Sequence, residues 1–119
     1  NGSVELARAA GADGVHLDAA HLAGLSQRPE VDWVGASCHN EAELARAAKI
    51  GADFALLSPV LPTLTHPGAA TLGWETFSAW AGASAIPVYG LGGLTAADVD
   101  LATRHGAHGV ALLRAAWEA

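Results

Sequence analysis

Methionine is missing from all 119 residues, and cysteine occurs once, as Cys38. A lone cysteine excludes an internal disulfide framework and fits a reducing cytoplasm, which is the expected location. No apolar run approaches the ~18 residues of a membrane span, and no basic segment leads into an apolar one as in a secretory leader. Positive charge is scarce: six Lys and Arg stand against twelve Asp and Glu, for a net charge of -6. A nucleic-acid surface needs clustered cations, so nucleic acid and membrane are both excluded as expected partners. Charged residues make up 15% of the chain and hydrophobic ones 51%, the balance of a chain that buries a core. The length suits one domain.

What the sequence does contain is a repeated unit. ARAAGADGVHL (7–17), RAAKIGADFALL (46–57) and ATRHGAHGVALL (102–113) each read as the last turn of an Ala-rich helix, a glycine stop and a short apolar strand. Gly11, Gly51 and Gly106 fall where a helix ends in a left-handed residue. DWVGAS (32–37) and IPVYGL (86–91) read as two further strands, and all five look continuously apolar, as strands buried on both faces do. Asn40 with Glu43 predicts a capping box opening the helix EAELARAAKI, and Thr95 with Asp98 predicts another opening AADVDLATRH. LGWETFSAWAG (72–82) predicts a weaker helix with Trp74, Phe77 and Trp80 on one face.

Strands alternating with helices imply parallel βαβ units. Strands near 14–17, 33–37, 53–58, 86–91 and 109–113 are too few to close a barrel, which needs eight and at least about 200 residues. The expected fold is therefore α/β, the C-terminal part (about five βα units) of a (βα)8 barrel, with a small doubly wound sheet as the alternative. The opening Asn1-Gly2-Ser3 fits the same expectation of a piece of a longer protein, with residues 1–119 forming one incomplete barrel segment. Its unpaired sheet edges predict an attached N-terminal domain or a homo-oligomer.

Parallel α/β folds bind ligands at the carboxyl ends of their strands. There the sequence places His16 and Asp18, then Ser37-Cys38-His39, then Ser58 and the Thr63/Thr65/His66 loop, then Gly92-Gly93, and finally Leu113-Arg114. A Gly-Gly turn before a helix lets backbone amides approach a phosphate, and Arg114 would add a charge-assisted contact. Cys38 and His39 make a poor dyad, because neighbouring strand residues face opposite ways. His16 reads equally as a satisfied buried histidine or a pocket wall. His66 suits a phosphate site through its charge switch near neutral pH. Trp74 and Trp80 read as packing residues, and His105 and His108 as solvent-facing.

GADGVHL, GASCH, GADFALLSPVLPT, IPVYGLGG and GAHGVALL, in this order and spacing, resemble the thiamine phosphate synthase family and its thiazole-tautomerase relatives. The resemblance implies a barrel running here from the end of strand three to strand eight. It also implies the joining of a pyrimidine diphosphate to a thiazole phosphate, with loss of pyrophosphate and help from magnesium. Carried across by residue, it matches Asn1, Ser37, Thr63, Thr65, Gly92 and Gly93 to family positions. Gly2 and His21 stand where the two magnesium-binding aspartates belong, Ala19 where a glutamine does, His66 where a lysine does and Arg114 where a serine does. Pro59 occupies the place of the tautomerase histidine.

The implied site has Ser37, Thr63, Thr65 and His66 in catalytic positions and Asn1, Gly92, Gly93, Leu113 and Arg114 around a small phosphorylated ligand. Mg²⁺ is the cofactor the resemblance brings, yet both of its carboxylates are missing. Asp18 is the one acid near enough for a shifted ligand. The segments SCH, LSPVLPTxTHPG, LGW and GAHGVALLR most resemble the synthase-like domain behind a Nudix hydrolase domain in bacterial fusion proteins. Three functions follow: a transferase making thiamine phosphate, a non-catalytic domain holding such a ligand for an attached hydrolase, and last, because Pro59 replaces the histidine, an isomerase resembling the thiazole tautomerases.

Overall fold

The protein is described by a computed structural model covering residues 14–62 and 70–111. Five strands, β1 (Gly14–Leu17), β2 (Trp33–Cys38), β3 (Phe54–Leu57), β4 (Val88–Gly90) and β5 (Gly109–Val110), form one parallel sheet. Between them run α1 (Ala19–Ala23), α2 (Glu41–Lys49), α3 (Gly73–Ala83) and a 3₁₀ turn (Ala96–Asp98) that continues into α4 (Val99–Arg104). The strands lie side by side in sequence order, β1-β2-β3-β4-β5. A doubly wound sheet reverses its direction of growth at a switch point, whereas a barrel adds each strand next to the last. The order observed is that of a barrel arc.

The helix ends follow the sequence closely. Asn40 Oδ1 accepts from Glu43 N at 2.8 Å, but Glu43 Oε1 turns to His39 N (2.7 Å) and not back to Asn40, so only half of the predicted box forms. At Thr95 the box is complete: Asp98 Oδ2 accepts from Thr95 N (2.8 Å) and Thr95 Oγ1 from Ala97 N (3.2 Å). Gly51 and Gly106 take the left-handed stops, with φ of 80° and 91°, while Gly11 lies outside the described residues.

Burial departs from the expected continuous pattern. Val15, Leu17, Val34, Ala36, Cys38, Ala55, Leu57 and Val88 are buried in one core with Leu22, Leu44, Ala47, Phe77, Ala81 and Ala102 of the helices. Their alternating neighbours His16, Ser37, Phe54, Leu56 and Tyr89 are only half-buried, and Trp33 is 43% exposed. The helices cover one face of the arc, and five strands do not curl far enough to cover the other, which is the inside of the barrel. On that face large rings sit over glycines of the neighbouring strand. A methyl group on Gly14 would lie 2.0 Å from the Trp33 ring, and one on Gly35 would lie 2.4 Å from Phe54. Trp33, Phe54 and Tyr89 thereby form a row with ring centres 6.2 and 5.9 Å apart.

The two ends of the sheet are built differently. Before β2 and β3, Arg28 donates to the carbonyl of Asp32 and to Asp53 Oδ2, both at 3.1 Å, and Asp53 Oδ2 also accepts from Val34 N at 2.7 Å. The Val34 amide, and then Arg28, hold the Asp53 carboxyl below its usual range. This clasp ties the amino ends of two strands together, the stabilising side of such a fold. The carboxyl ends carry the candidate site.

Candidate ligand site at the carboxyl ends of the strands

Ser37 lies on the inner face of β2, two residues beyond Gly35, the register partner of His16. His16 Nε2 and Ser37 Oγ are 2.7 Å apart, a hydrogen bond spanning β1 and β2. The ring of His16 leans on Phe54, with centres 6.0 Å apart, and a methyl group on Gly35 would come within 2.7 Å of its Nδ1. Glycine at 35 thus makes room for the imidazole beside Ser37. Burial pushes the His16 pKa below its ordinary value, which favours the neutral ring that can either donate to or accept from the serine. His16 is thus half-buried on the inner face and satisfied by Ser37.

Cys38, one residue on, faces the helices. It is fully buried, and burial, followed by the charge of Glu43, raises its thiol to about 12. His39 is exposed and held by Glu43 through Nδ1 at 3.1 Å. The Cys-His pair is therefore no nucleophile and base, as the strand geometry requires.

Asp18 leaves β1 as the N-cap of α1. Its Oδ1 accepts from His21 N at 2.8 Å and faces His21 Nδ1 at 2.7 Å. These bonds, the backbone one first, hold its carboxyl below the usual range. A hard divalent cation collects several oxygen ligands, and nitrogen serves it poorly. Here the one nearby carboxylate is already engaged by a histidine, and the described residues contain no group of three His, Cys, Asp or Glu able to hold a metal. Asp18 and His21 do not fit magnesium.

Gly92 and Gly93 form the turn after β4 with φ of 105° and 67°. The turn is laced to the segment after β3: Val60 N donates to Leu91 O (3.0 Å) and Leu61 N to Gly92 O (3.1 Å). A methyl group on Gly92 would lie 2.7 Å from Pro59 Cα, and one on Gly93 would lie 2.3 Å from Pro62 O. Glycine is needed here for close backbone packing as well as for φ. The expectation of open amides at the helix start is met only upstream of it. Thr95 N and Ala97 N are taken by the capping box, whereas Gly92 N and Gly93 N meet no acceptor among the described residues. Pro62, whose carbonyl meets Gly93, is followed in sequence by the loop that holds Thr63, Thr65 and His66. Those three, with Asn1, Leu113 and Arg114, lie outside the described residues.

The aromatic residues divide as packing requires. Phe77 is fully buried, Trp74 meets it edge-on at 5.6 Å and stacks on His105 at 5.2 Å. His105 is therefore partly buried and bonded through Nδ1 to Leu101 O (2.8 Å), not solvent-facing as expected, while His108 is exposed. Trp80 lines a groove of about 400 Å³ between α2 and α3, with Leu44, Ala45, Ala48 and Ala83. Glu41 is the groove's one ionisable residue.

Sequence reasoning missed the two side-chain pairs, His16 with Ser37 and Asp18 with His21. The first is visible only once register is known, because the residues lie 21 positions apart. The second carries a local signal: an acid three residues ahead of a histidine at a helix start.

The sequence model of the family described as thiamine monophosphate synthase matches residues 1–116. The thiamine-phosphate synthase of Chromobacterium violaceum is 38% identical over 125 residues, covering 100% of this chain and 59% of that protein. That of Methanoculleus marisnigri is 39% identical over 119 residues, covering 97% of this chain and 56% of its own length. The chain thus spans little more than half the length of the curated relatives it matches. Among solved structures, the thiamine phosphate pyrophosphorylase of Pyrococcus furiosus superposes with a TM-score of 0.74 at 28% identity, over 98% of this chain and 56% of that one. The arc of five parallel strands corresponds to part of that barrel-like fold, and the chain belongs to the thiamine monophosphate synthase family.

Proposed function

We propose that the chain forms the ligand-holding wall of a thiamine phosphate synthase-like barrel and binds a phosphorylated thiazole or pyrimidine compound. The observation that carries this reading is the His16–Ser37 bond on the inner face, at the same end of the sheet as the Gly92-Gly93 turn. The serine hydroxyl and imidazole supply a polar grip for a heteroaromatic ring, with Phe54 as an apolar backing. The glycine amides supply donors for the phosphate, and Thr63, Thr65, His66 and Arg114 are assigned to the same pocket by family resemblance alone.

Whether the pocket also joins pyrimidine diphosphate to thiazole phosphate depends on how the leaving diphosphate is stabilised. Asp18 Oδ1 is engaged by His21 and a histidine stands at position 21, a donor set poor for magnesium, which favours a second reading, a non-catalytic domain that holds a thiamine-phosphate-type ligand. An attached Nudix hydrolase is the partner that goes with it. Calorimetric titration with thiazole phosphate and thiamine phosphate, with and without Mg²⁺, alongside a product assay, separates the two. Product that forms only with Mg²⁺ supports the transferase. Binding without turnover supports the holding domain, and no binding of either compound ends both readings.

A further inference from the structure

We infer that Phe54 is a positioning residue of the site: it fills the space over Gly35 and so holds the His16 ring against Ser37, presenting that pair to a ligand already ordered. The inference rests on the ligand reading above and deepens it by naming the side chain that sets the pocket's polar grip.

Gly35 is the register partner of His16 on one side and of Phe54 on the other. Both side chains close over the space that its missing side chain leaves. A methyl group there would lie 2.4 Å from Phe54 Cζ and 2.7 Å from His16 Nδ1. The Nδ1 edge of the imidazole thus faces Gly35 and the phenyl ring, while Nε2 reaches Ser37 at 2.7 Å. Phe54 is itself confined, stacked on Trp33 at 6.2 Å and edge-on to Tyr89 at 5.9 Å.

Among the described residues Ser37 is the imidazole's one hydrogen-bond partner, so no polar group there anchors the Nδ1 edge. A half-buried histidine has other staggered rotamers open to it unless packing closes them. Without the phenyl ring, the vacancy over Gly35 would accept the imidazole, which would turn down into it and leave Ser37. With Phe54 in place that rotation meets a ring braced by Trp33 and Tyr89. The bond to Ser37 and the contact with Phe54 then act on opposite edges of one ring. A ligand meeting the pair has no rotamer freedom left to remove, which favours binding.

The test begins on the full chain without ligand. The nitrogen resonance of His16 Nε2, identified by its loss in His16→Ala, should move in Phe54→Ala in the same direction as in Ser37→Ala. Calorimetry with thiazole phosphate then reads the consequence. Phe54→Ala should weaken binding about five- to ten-fold, the scale of one hydrogen bond. In a His16→Ala background the same change should have no further effect, because the ring it holds is gone. Phe54→Leu keeps apolar bulk but ends short of Gly35, so it should act in the same direction by less. It replaces Phe54→Ala in both measurements should circular dichroism show the alanine variant unfolded. An unmoved Nε2 resonance, or a loss of affinity equally large without His16, overturns the inference and leaves the ligand reading standing. Thiazole phosphate that fails to bind the unaltered chain overturns the ligand reading, while the nitrogen resonance still decides whether Phe54 holds the ring.

Discussion

Gly93 and Pro62 are in contact at a distance no side chain tolerates: a methyl group on the glycine would lie 2.3 Å from the proline carbonyl oxygen. The turn after β4 and the segment after β3 are therefore fitted to each other as backbone against backbone. Gly93→Ala should cost about 2–4 kcal/mol, the sum of a left-handed φ and an overlap with atoms that cannot rotate away. Urea denaturation measures it, and a loss below about 0.5 kcal/mol would show that the two segments separate easily.

Gly35 has a different role. Its missing side chain leaves space for Phe54 and for the imidazole of His16. Gly35→Ala should displace the ring from Ser37, so ligand affinity is expected to fall at least ten-fold while the melting temperature drops by no more than about 4–8 °C. Calorimetry and a thermal melt on the same sample check the pair of outcomes, and affinity unchanged alongside a lowered melt would separate His16 from the ligand.

His16 also predicts a pH dependence. Burial lowers its folded-state pKa from 6.5, so below that pH the unfolded chain binds more protons than the folded one. The stability it contributes is complete above pH 6.5 and is lost as the pH falls from there through the lowered folded value. Replacing it by His16→Gln should flatten the stability curve of the unaltered chain over that acid window, as read by denaturant midpoints. Curves that stay parallel would contradict the burial of the ring.

Cys38 should behave as an inert thiol. It is fully buried and its pKa is raised to about 12, so a maleimide or disulfide reagent near pH 8 should label it only in denaturant. Labelling of the native protein within minutes would mean that β2 opens readily toward the helices.

Much of the fold is legible in the residues, for physical reasons. The helix–glycine–strand unit is written locally, and Gly51 and Gly106 stop their helices as expected. The Thr95–Asp98 box is local too, and it forms in full. Glu43 shows where local reasoning stops, since the amide of His39 competes for its carboxylate and wins. Burial along the strands was not legible, because an apolar run reads the same whether one face or both are covered. The candidate site was legible by position but not by pairing. Ser37 and the two glycines are found from where strands end, whereas the partner of Ser37 depends on the register of β1 against β2. Asp18 looks from its sequence like a spare acid, and only the cap geometry shows it committed to His21.

The interlocking of rings and glycines across the sheet has one more result. Parallel strands of alanine, valine and leucine are nearly interchangeable along their length, so their hydrogen bonds alone would let one slide past the next. With Trp33 seated over Gly14 and Phe54 over Gly35, a slide of two residues would push an indole or a phenyl onto a position that carries a side chain. Alignment is keyed by bulk and vacancy, and the same keying sets His16 beside Gly35, within reach of the serine two residues further along β2.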